Sequence, residues 1–341
     1  MIYTRTVHSD DKYFIELHDK PSNTMGLVAS FSSVHAQDNE GFGLAGRFLT
    51  SKGYDVLSIK PKRADWYVDF SDDPRRVQSV RDLGSKYKNF FGYGISMGAF
   101  GALFLQDLLS ISRVAAISAR RPSDAITISA AAAERVKSME ISLKNKHQNF
   151  YIYDAFCQQD DIFSSEQGAG KNVFNFAYAG HPVSAALKAL GKLKELTACA
   201  IGFDEASLQK LIGGWTIEKE KTTQYFVSLA SVAFQNKDFG QAIECFESAQ
   251  KIDQHDVSFY GLWSEILFLS GEIEAAIEVL LKLRLTRLWS GDSGARLAYY
   301  FYKNGQEARA RELMVEAIKL DSRQLVMSQF AKKLGIQAGD I

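Results

Sequence analysis

The run FFGYGISMGAFGALFLQDLL at residues 90–109 passes from an apolar stretch of strand character through Gly94-Ile95-Ser96-Met97-Gly98 into a helical pattern. A serine hydroxyl is a poor nucleophile unless a sharp turn presents it where a base can reach it. Glycines two before and two after Ser96 let the chain fold that tightly, and Gly101 lets the following helix pack closely on the sheet. Ser96 is therefore the candidate nucleophile; the alternative is a glycine-rich turn kept for packing. Three histidines follow it. His147, in LKNKHQ, and His255, in a helical connector, occupy naturally solvated places. His181 instead ends the strand-like run NVFNFAYAGH, with Gly180 before it and Pro182 suited to the start of a helix, so it is the candidate base. At the exit of the strand NFYIYD stand three carboxylates able to orient an imidazole: Asp154, Asp160 and Asp161. Asp154 has a second reading, as an acceptor of hydrogen bonds that shape the loop.

The elements that would position these residues alternate. Short apolar or β-branched runs near 2–8, 12–18, 26–33, 54–60, 89–95, 113–119, 149–155 and 172–178 read as strands, and 41–52, 74–87, 97–110, 129–145 and 182–196 as helices. The first two strands, joined by Ser9-Asp10-Asp11, form an antiparallel hairpin; the later ones are separated by enough chain for crossover helices. The expectation is an α/β unit with a mostly parallel sheet and an antiparallel edge.

After about residue 222 the period changes. Ala242, Ala276 and Ala310 follow one another at intervals of 34 residues; four residues after each comes Phe246, Leu280 or Met314, and seven after comes Ala249, Leu283 or Ala317. Small residues let paired helices approach and large ones fill the groove between neighbours, which predicts an all-α helical repeat stacked as a solenoid. The expected division is residues 1–200, a linker or capping helix over 201–221, and repeats over 222–336.

In motif order the first part resembles the α/β-hydrolase superfamily. NKDFGQAIECFESAQKID, LSGEIEAAIEVLLKL and KNGQEARARELMVEAIKL resemble the tetratricopeptide repeat, although Ser264 and Ala298 replace its usual first-helix glycine and no proline closes a unit. The hydrolase resemblance implies the chain order serine, acid, histidine and an acid in the pattern Asp-x-apolar-apolar. Asp160-Asp161-Ile162-Phe163 fits that pattern, which favours Asp160 and leaves Asp154 and Asp161 as alternatives. It also implies an oxyanion hole built from the N–H of Met97 and a donor in the loop after the third strand. That loop reads SFSSVHAQDNEGF, with Ser32-Ser33 where related lipases carry His-Gly, and Ser33 is the expected donor. The implied activity is a serine hydrolase acting on a carboxylic ester or thioester, a carboxylesterase in type, with a link to polysaccharide metabolism. The competing expectation is a non-catalytic hydrolase scaffold whose repeats mediate protein–protein interaction.

Between the sixth and seventh strands about 30 residues leave room for one helix but no large cap, so the site is expected to be open and to suit a small-molecule or polymer-attached acyl ester. Trp66 and Tyr67, after the fourth strand, are expected to line its mouth as substrate-binding aromatics. The repeats are expected to bind a protein partner or to self-associate.

Composition excludes several classes. The 341 residues carry 40 Lys+Arg against 40 Asp+Glu, so no chain-wide basic field draws in nucleic acid. With 46% hydrophobic and 12% aromatic residues the chain is not intrinsically disordered. Asp10 and Asp11 interrupt what a signal peptide needs to be apolar, and no apolar run reaches the roughly 20 residues of a membrane span, so a cytoplasmic location is expected. Three widely spaced cysteines, Cys157, Cys199 and Cys245, have neither disulfide-framework nor zinc-site spacing; no metal and no cofactor is expected.

Overall fold

The computed structural model describes residues 2–20, 24–32, 41–63, 65–120, 122, 134, 148–157, 160, 172–321 and 325–336. They divide into two compact units, Met1–Gln224 and Tyr225–Ile341.

In the first unit the described strands are β1 (Tyr3–Ser9), β2 (Tyr13–Asp19), β3 (Leu27–Phe31), β4 (Asp55–Pro61), β5 (Phe90–Ile95), β6 (Arg113–Ile117), β7 (Phe150–Tyr153) and β8 (Val173–Asn175). They form one sheet in the order β1-β2-β4-β3-β5-β6-β7-β8. β2 is antiparallel to β1 and β4, and every pairing from β4–β3 to β7–β8 is parallel. The sequence pattern follows from this placement. β3 and β4 are buried at every position because helices or loops cover both faces, whereas the edge strand β1 is largely exposed. The mostly parallel α/β sheet with an antiparallel edge is thus the architecture of this unit.

Among the described residues the helices are α1 (Gly46–Ser51), α2 (Pro74–Gly84), α3 (Met97–Phe104), α4 (Gln106–Leu109), α5 (Val183–Ala189), α6 (Leu193–Gly202) and α7 (Glu205–Glu218). Asp73 caps α2 by accepting from the N–H of Arg75, with Pro74 in the first turn. Two expected helices are interrupted: 97–110 breaks at Leu105, and 182–196 breaks at Gly191, whose φ of 71° suits glycine. The expected helix over 129–145 falls almost wholly outside the described residues. The stretch 201–221, expected as a linker or cap, is largely helical and lies within the first unit.

The β1–β2 turn is set by Asp10. Its Oδ1 accepts from the N–H groups of Lys12 (2.8 Å) and Tyr13 (2.6 Å), while Oδ2 pairs with His8 Nε2 (2.8 Å) and with Arg76 (2.5 Å). The Arg76 guanidinium in turn lies over the rings of Tyr13 and Phe70, at 4.4 and 5.4 Å from their centroids. On β4, the buried Lys60 ammonium pairs with Glu16 (2.6 Å) and donates to the Gly41 carbonyl (2.7 Å), holding the chain where it enters α1.

The second unit is made of helix pairs: α8 (Thr223–Gln235) with α9 (Phe239–Ile252), α10 (Tyr260–Ser270) with α11 (Ile273–Arg284), and α12 (Gly291–Lys303) with α13 (Glu307–Leu320), followed by α14 (Leu325–Lys333). Ala242, Ala276, Ala310, Phe246, Leu280, Met314, Ala249, Leu283 and Ala317, whose spacing predicted the repeat, are all buried in one core. A second 34-residue series runs through the first helix of each pair, where Ala230, Ser264 and Ala298 are fully buried. A third marks the turn inside each pair: Lys237, Gly271 and Gly305 all have positive φ, at 61°, 95° and 75°. Among the described residues no helix is long and apolar enough to cross a membrane.

Candidate active site

Ser96 stands at the junction of β5 and α3 with φ 56° and ψ −121°, a conformation that L-residues rarely adopt. The glycines around it permit this close turn in a specific way. A Cβ on Gly94 would lie 2.3 Å from the Gly98 carbonyl group, and a Cβ on Gly98 would lie 2.3 Å from the Phe31 carbonyl oxygen. The elbow is therefore pressed against the exit of β3. It also puts the N–H of Met97 in the first turn of α3, where helical N–H groups have no acceptor within the helix.

His181 follows β8 and precedes α5. Its Nε2 lies 2.8 Å from Ser96 Oγ, and its Nδ1 lies 2.5 Å from Asp160 Oδ1. An ionised carboxylate only accepts, so Nδ1 carries the proton, and the lone pair on Nε2 is left to accept from the serine hydroxyl. The Asp160 side chain is wholly buried and that of His181 is 15% exposed. This single chain of hydrogen bonds joins three residues separated by 85 and 21 positions along the sequence.

Asp154, at the end of β7, does not reach the imidazole. It is fully buried, and its carboxylate accepts from three backbone N–H groups: Phe156 (2.9 Å) and Tyr178 (2.9 Å) on Oδ1, and Gly180 (2.8 Å) on Oδ2. One side chain thus ties the loop leading to Asp160 to the loop leading to His181. The rings of Phe156 and Tyr178 stack across the same two loops with centroids 4.0 Å apart. Asn175 adds a further tie by accepting from the Ala155 N–H at 3.0 Å. Asp161, the third candidate acid, is outside the described residues.

Two further residues escaped the sequence reading. Ser118, just past β6 with φ 48°, accepts the N–H of Val183 at 2.9 Å and so holds the start of α5 immediately after His181. Trp215, on α7, donates its indole N–H to the carbonyl of Ala177 at 2.9 Å. No spacing signal marks either, because each meets the histidine loop only through a main-chain atom.

The expectation for Tyr67 needs correction. Rather than lining a cleft, the residue is wholly buried, and its hydroxyl donates to the carbonyls of Ser32 (2.8 Å) and Ile59 (3.3 Å). The reason is Gly101: any Cβ there would come within 2.2 Å of the tyrosine ring, so the glycine admits Tyr67 into the core beneath α3. Burial pushes the Tyr67 phenol far above its ordinary range, which keeps it a neutral donor. Trp66 is partly buried and packs edge-on against Phe100, with centroids 5.9 Å apart. Ser33, the expected second oxyanion donor, lies outside the described residues; Ser32, the last described residue of that segment, is fully buried.

Comparison with known proteins gives the following likenesses. The family model of the tetratricopeptide repeat matches residues 223–256. No curated protein matches the chain. Among solved structures, the chain is similar to the esterase Pf2001 of Pyrococcus furiosus, at 16% identity and a TM-score of 0.41 over 57% of this chain and 91% of that one. A predicted CIB-like hydrolase from Thermoplasma acidophilum matches at 12% identity and a TM-score of 0.35, over 62% of this chain and 99% of that one. YrrB, described as a TPR protein with an unusual peptide-binding site, matches at 16% identity and a TM-score of 0.31, over 44% of this chain and 88% of that one. The first unit thus carries a mostly parallel eight-stranded sheet, and the first helix pair of the second unit matches the tetratricopeptide-repeat model.

Proposed function

We propose that the protein is a serine hydrolase that cleaves a carboxylic ester or thioester, with Ser96 as nucleophile, His181 as general base and acid, and Asp160 as the carboxylate that orients the imidazole. The observation that carries this reading is the continuous hydrogen-bonded chain from Ser96 Oγ through both ring nitrogens of His181 to Asp160, with the serine held at positive φ. As Ser96 Oγ attacks the acyl carbonyl, His181 Nε2 takes its proton, and the buried Asp160 carboxylate stabilises the imidazolium that results. The N–H of Met97 serves the oxyanion, together with a donor from the segment after β3, for which Ser33 is the proposal. His181 then returns the proton to the leaving alcohol or thiol. In the second half a water, deprotonated by the same nitrogen, hydrolyses the acyl-enzyme.

The tetratricopeptide-type repeat supports a further part of the reading, that the second unit engages a protein partner or a second copy of the chain. We also propose that the substrate is a small or polymer-attached acyl ester, with Trp66 at its entrance, and that the protein works in the cytoplasm, where thiols stay reduced; none of its three cysteines is in a disulfide.

A fluorophosphonate probe tests the chemistry. Covalent labelling of the native protein that disappears in Ser96→Ala is the expected result. Absence of labelling in folded wild-type protein refutes the hydrolase reading and favours a scaffold.

A further inference from the structure

The stretch of sequence that looks like a connector reaches the active-site machinery. Helix α7 is capped by Asp204, whose side chain accepts from the N–H of Ser207 at 3.0 Å, and it packs against β8. Near its C-terminal end Trp215 is 1% exposed, among the largest fully buried side chains of the protein. Its indole N–H ends on the carbonyl oxygen of Ala177, four residues before His181.

That carbonyl belongs to the same peptide group as the N–H of Tyr178, which donates to Asp154 Oδ1 at 2.9 Å. A trans peptide is a rigid plane whose C=O and N–H point in opposite directions. The Ala177–Tyr178 plane is therefore gripped at both ends, by a buried carboxylate on one side and an indole on the other. Each grip strengthens the other, since a carboxylate that draws on the N–H polarises the amide and makes its carbonyl a better acceptor. Tyr178 has a positive φ of 64°, which a tyrosine rarely adopts, so local propensity does not hold this residue in its place. Gly180 N–H to Asp154 and Val183 N–H to Ser118 complete the set of anchors on either side of the histidine. Of these, Asp154 and Ser118 sit at the ends of sheet strands; Trp215 alone comes from beyond the histidine in sequence. Lys219, just past α7, adds an ammonium 5.6 Å from the centroid of the Tyr178 ring.

We propose that Trp215 is a positioning residue for His181: by holding the Ala177–Tyr178 peptide group, its indole N–H fixes the loop that must present Nε2 to Ser96 and Nδ1 to Asp160 at once. The proposal rests on the serine hydrolase reading for its consequence in turnover, but not for its consequence in geometry. A loop allowed to rotate by a fraction of an ångström shifts both imidazole hydrogen bonds together, and misplacement on the order of 1 Å costs a reaction up to about 100-fold.

The test is Trp215→Phe, which keeps an aromatic ring and removes the donor. Turnover of a small ester and the downfield proton resonance of the His181 Nδ1–H to Asp160 hydrogen bond are measured beside thermal unfolding. The expected result is a fall in kcat of roughly 10- to 100-fold with KM unchanged, together with loss or displacement of the downfield resonance. A drop in melting temperature with kcat and the resonance intact would show a merely structural tryptophan and overturn the proposal. Should Trp215→Phe fail to fold, benzothienylalanine incorporated at position 215 keeps the shape of the indole and removes only its N–H, and the same two outcomes decide. If the wild-type protein turns over no ester, the hydrolase reading fails by itself. The positioning of His181 then stands or falls on whether the resonance changes in the variant.

Discussion

Asp154 and Asp160 lie six positions apart, both fully buried, and the structure predicts opposite consequences for replacing them with asparagine. Asp160→Asn keeps the shape of the side chain but offers the imidazole an amide that can hold it in the wrong tautomer, so kcat should fall by about 10⁴-fold with little change in stability. Asp154→Asn removes a charge that accepts three backbone N–H groups. With the remaining carbonyl oxygen on Phe156 and Tyr178, the new NH₂ group faces the N–H of Gly180, leaving a buried donor without an acceptor at roughly 1–3 kcal/mol. The two surviving bonds lose their charge assistance, which brings the total to about 3 kcal/mol. For a unit of this size that corresponds to a fall of about 6–12 °C in melting temperature. The assay is ester turnover per folded molecule beside calorimetry of each variant. A stable, inert Asp154→Asn protein together with a fully active Asp160→Asn protein would refute the assignment and move the acid to the end of β7.

Ser96→Gly should raise stability by about 1 kcal/mol while abolishing turnover, because a non-glycine residue at positive φ stores roughly 1–3 kcal/mol, partly offset by the greater entropy of glycine in the unfolded chain; Ser96→Ala should abolish turnover without that gain, and chemical denaturation of the two variants separates them. Lys237→Gly should stabilise the second unit by about 0.5–1 kcal/mol, since Lys237 occupies the left-handed turn position that Gly271 and Gly305 fill in the other helix pairs; a melting temperature unchanged or lowered would contradict this. Asp10 should govern acid stability. Burial raises the pKa of its carboxyl, but the hydrogen bonds from Arg76, His8 and the N–H groups of Tyr13 and Lys12 outweigh that and hold it well below the ordinary carboxylate range. A folded-state pKa below the unfolded one contributes stability that is present above about pH 4 and is lost as pH falls toward the folded value. Asp10→Asn should therefore flatten the acid limb of a stability–pH profile, and an unchanged limb would assign that dependence to other groups.

Features that depend on neighbours along the chain were legible without coordinates. The alternation of buried runs and helical patterns, the glycines around Ser96, the loop setting of His181 and the 34-residue spacing of Ala242, Ala276 and Ala310 are all local or strictly periodic, and each maps onto the sheet, the elbow, the histidine loop and the helix pairs described above. Among three carboxylates Asp160 is favoured only by the Asp-x-apolar-apolar pattern that the hydrolase resemblance implies, with Asp154 and Asp161 left open, because a loop's path cannot be inferred from its composition. The Tyr67 reading went wrong for a related reason: an aromatic residue in a loop has the same local signature whether it faces solvent or fills the space that Gly101 leaves beneath α3.

What only the tertiary structure decided is where single polar atoms end. Asp154 accepts from Tyr178 and Gly180, which are 24 and 26 positions away, and Trp215 donates to Ala177 across 38. Main-chain N–H and C=O groups are present at nearly every residue, so a side chain that binds them leaves no partner type to search for in a sequence. Hydrophobic periodicity determines which faces are buried because burial sums over many residues, each of which adds to the same signal. A hydrogen bond that orients an imidazole depends on one donor and one acceptor meeting within a few tenths of an ångström, and only the folded chain sets that distance.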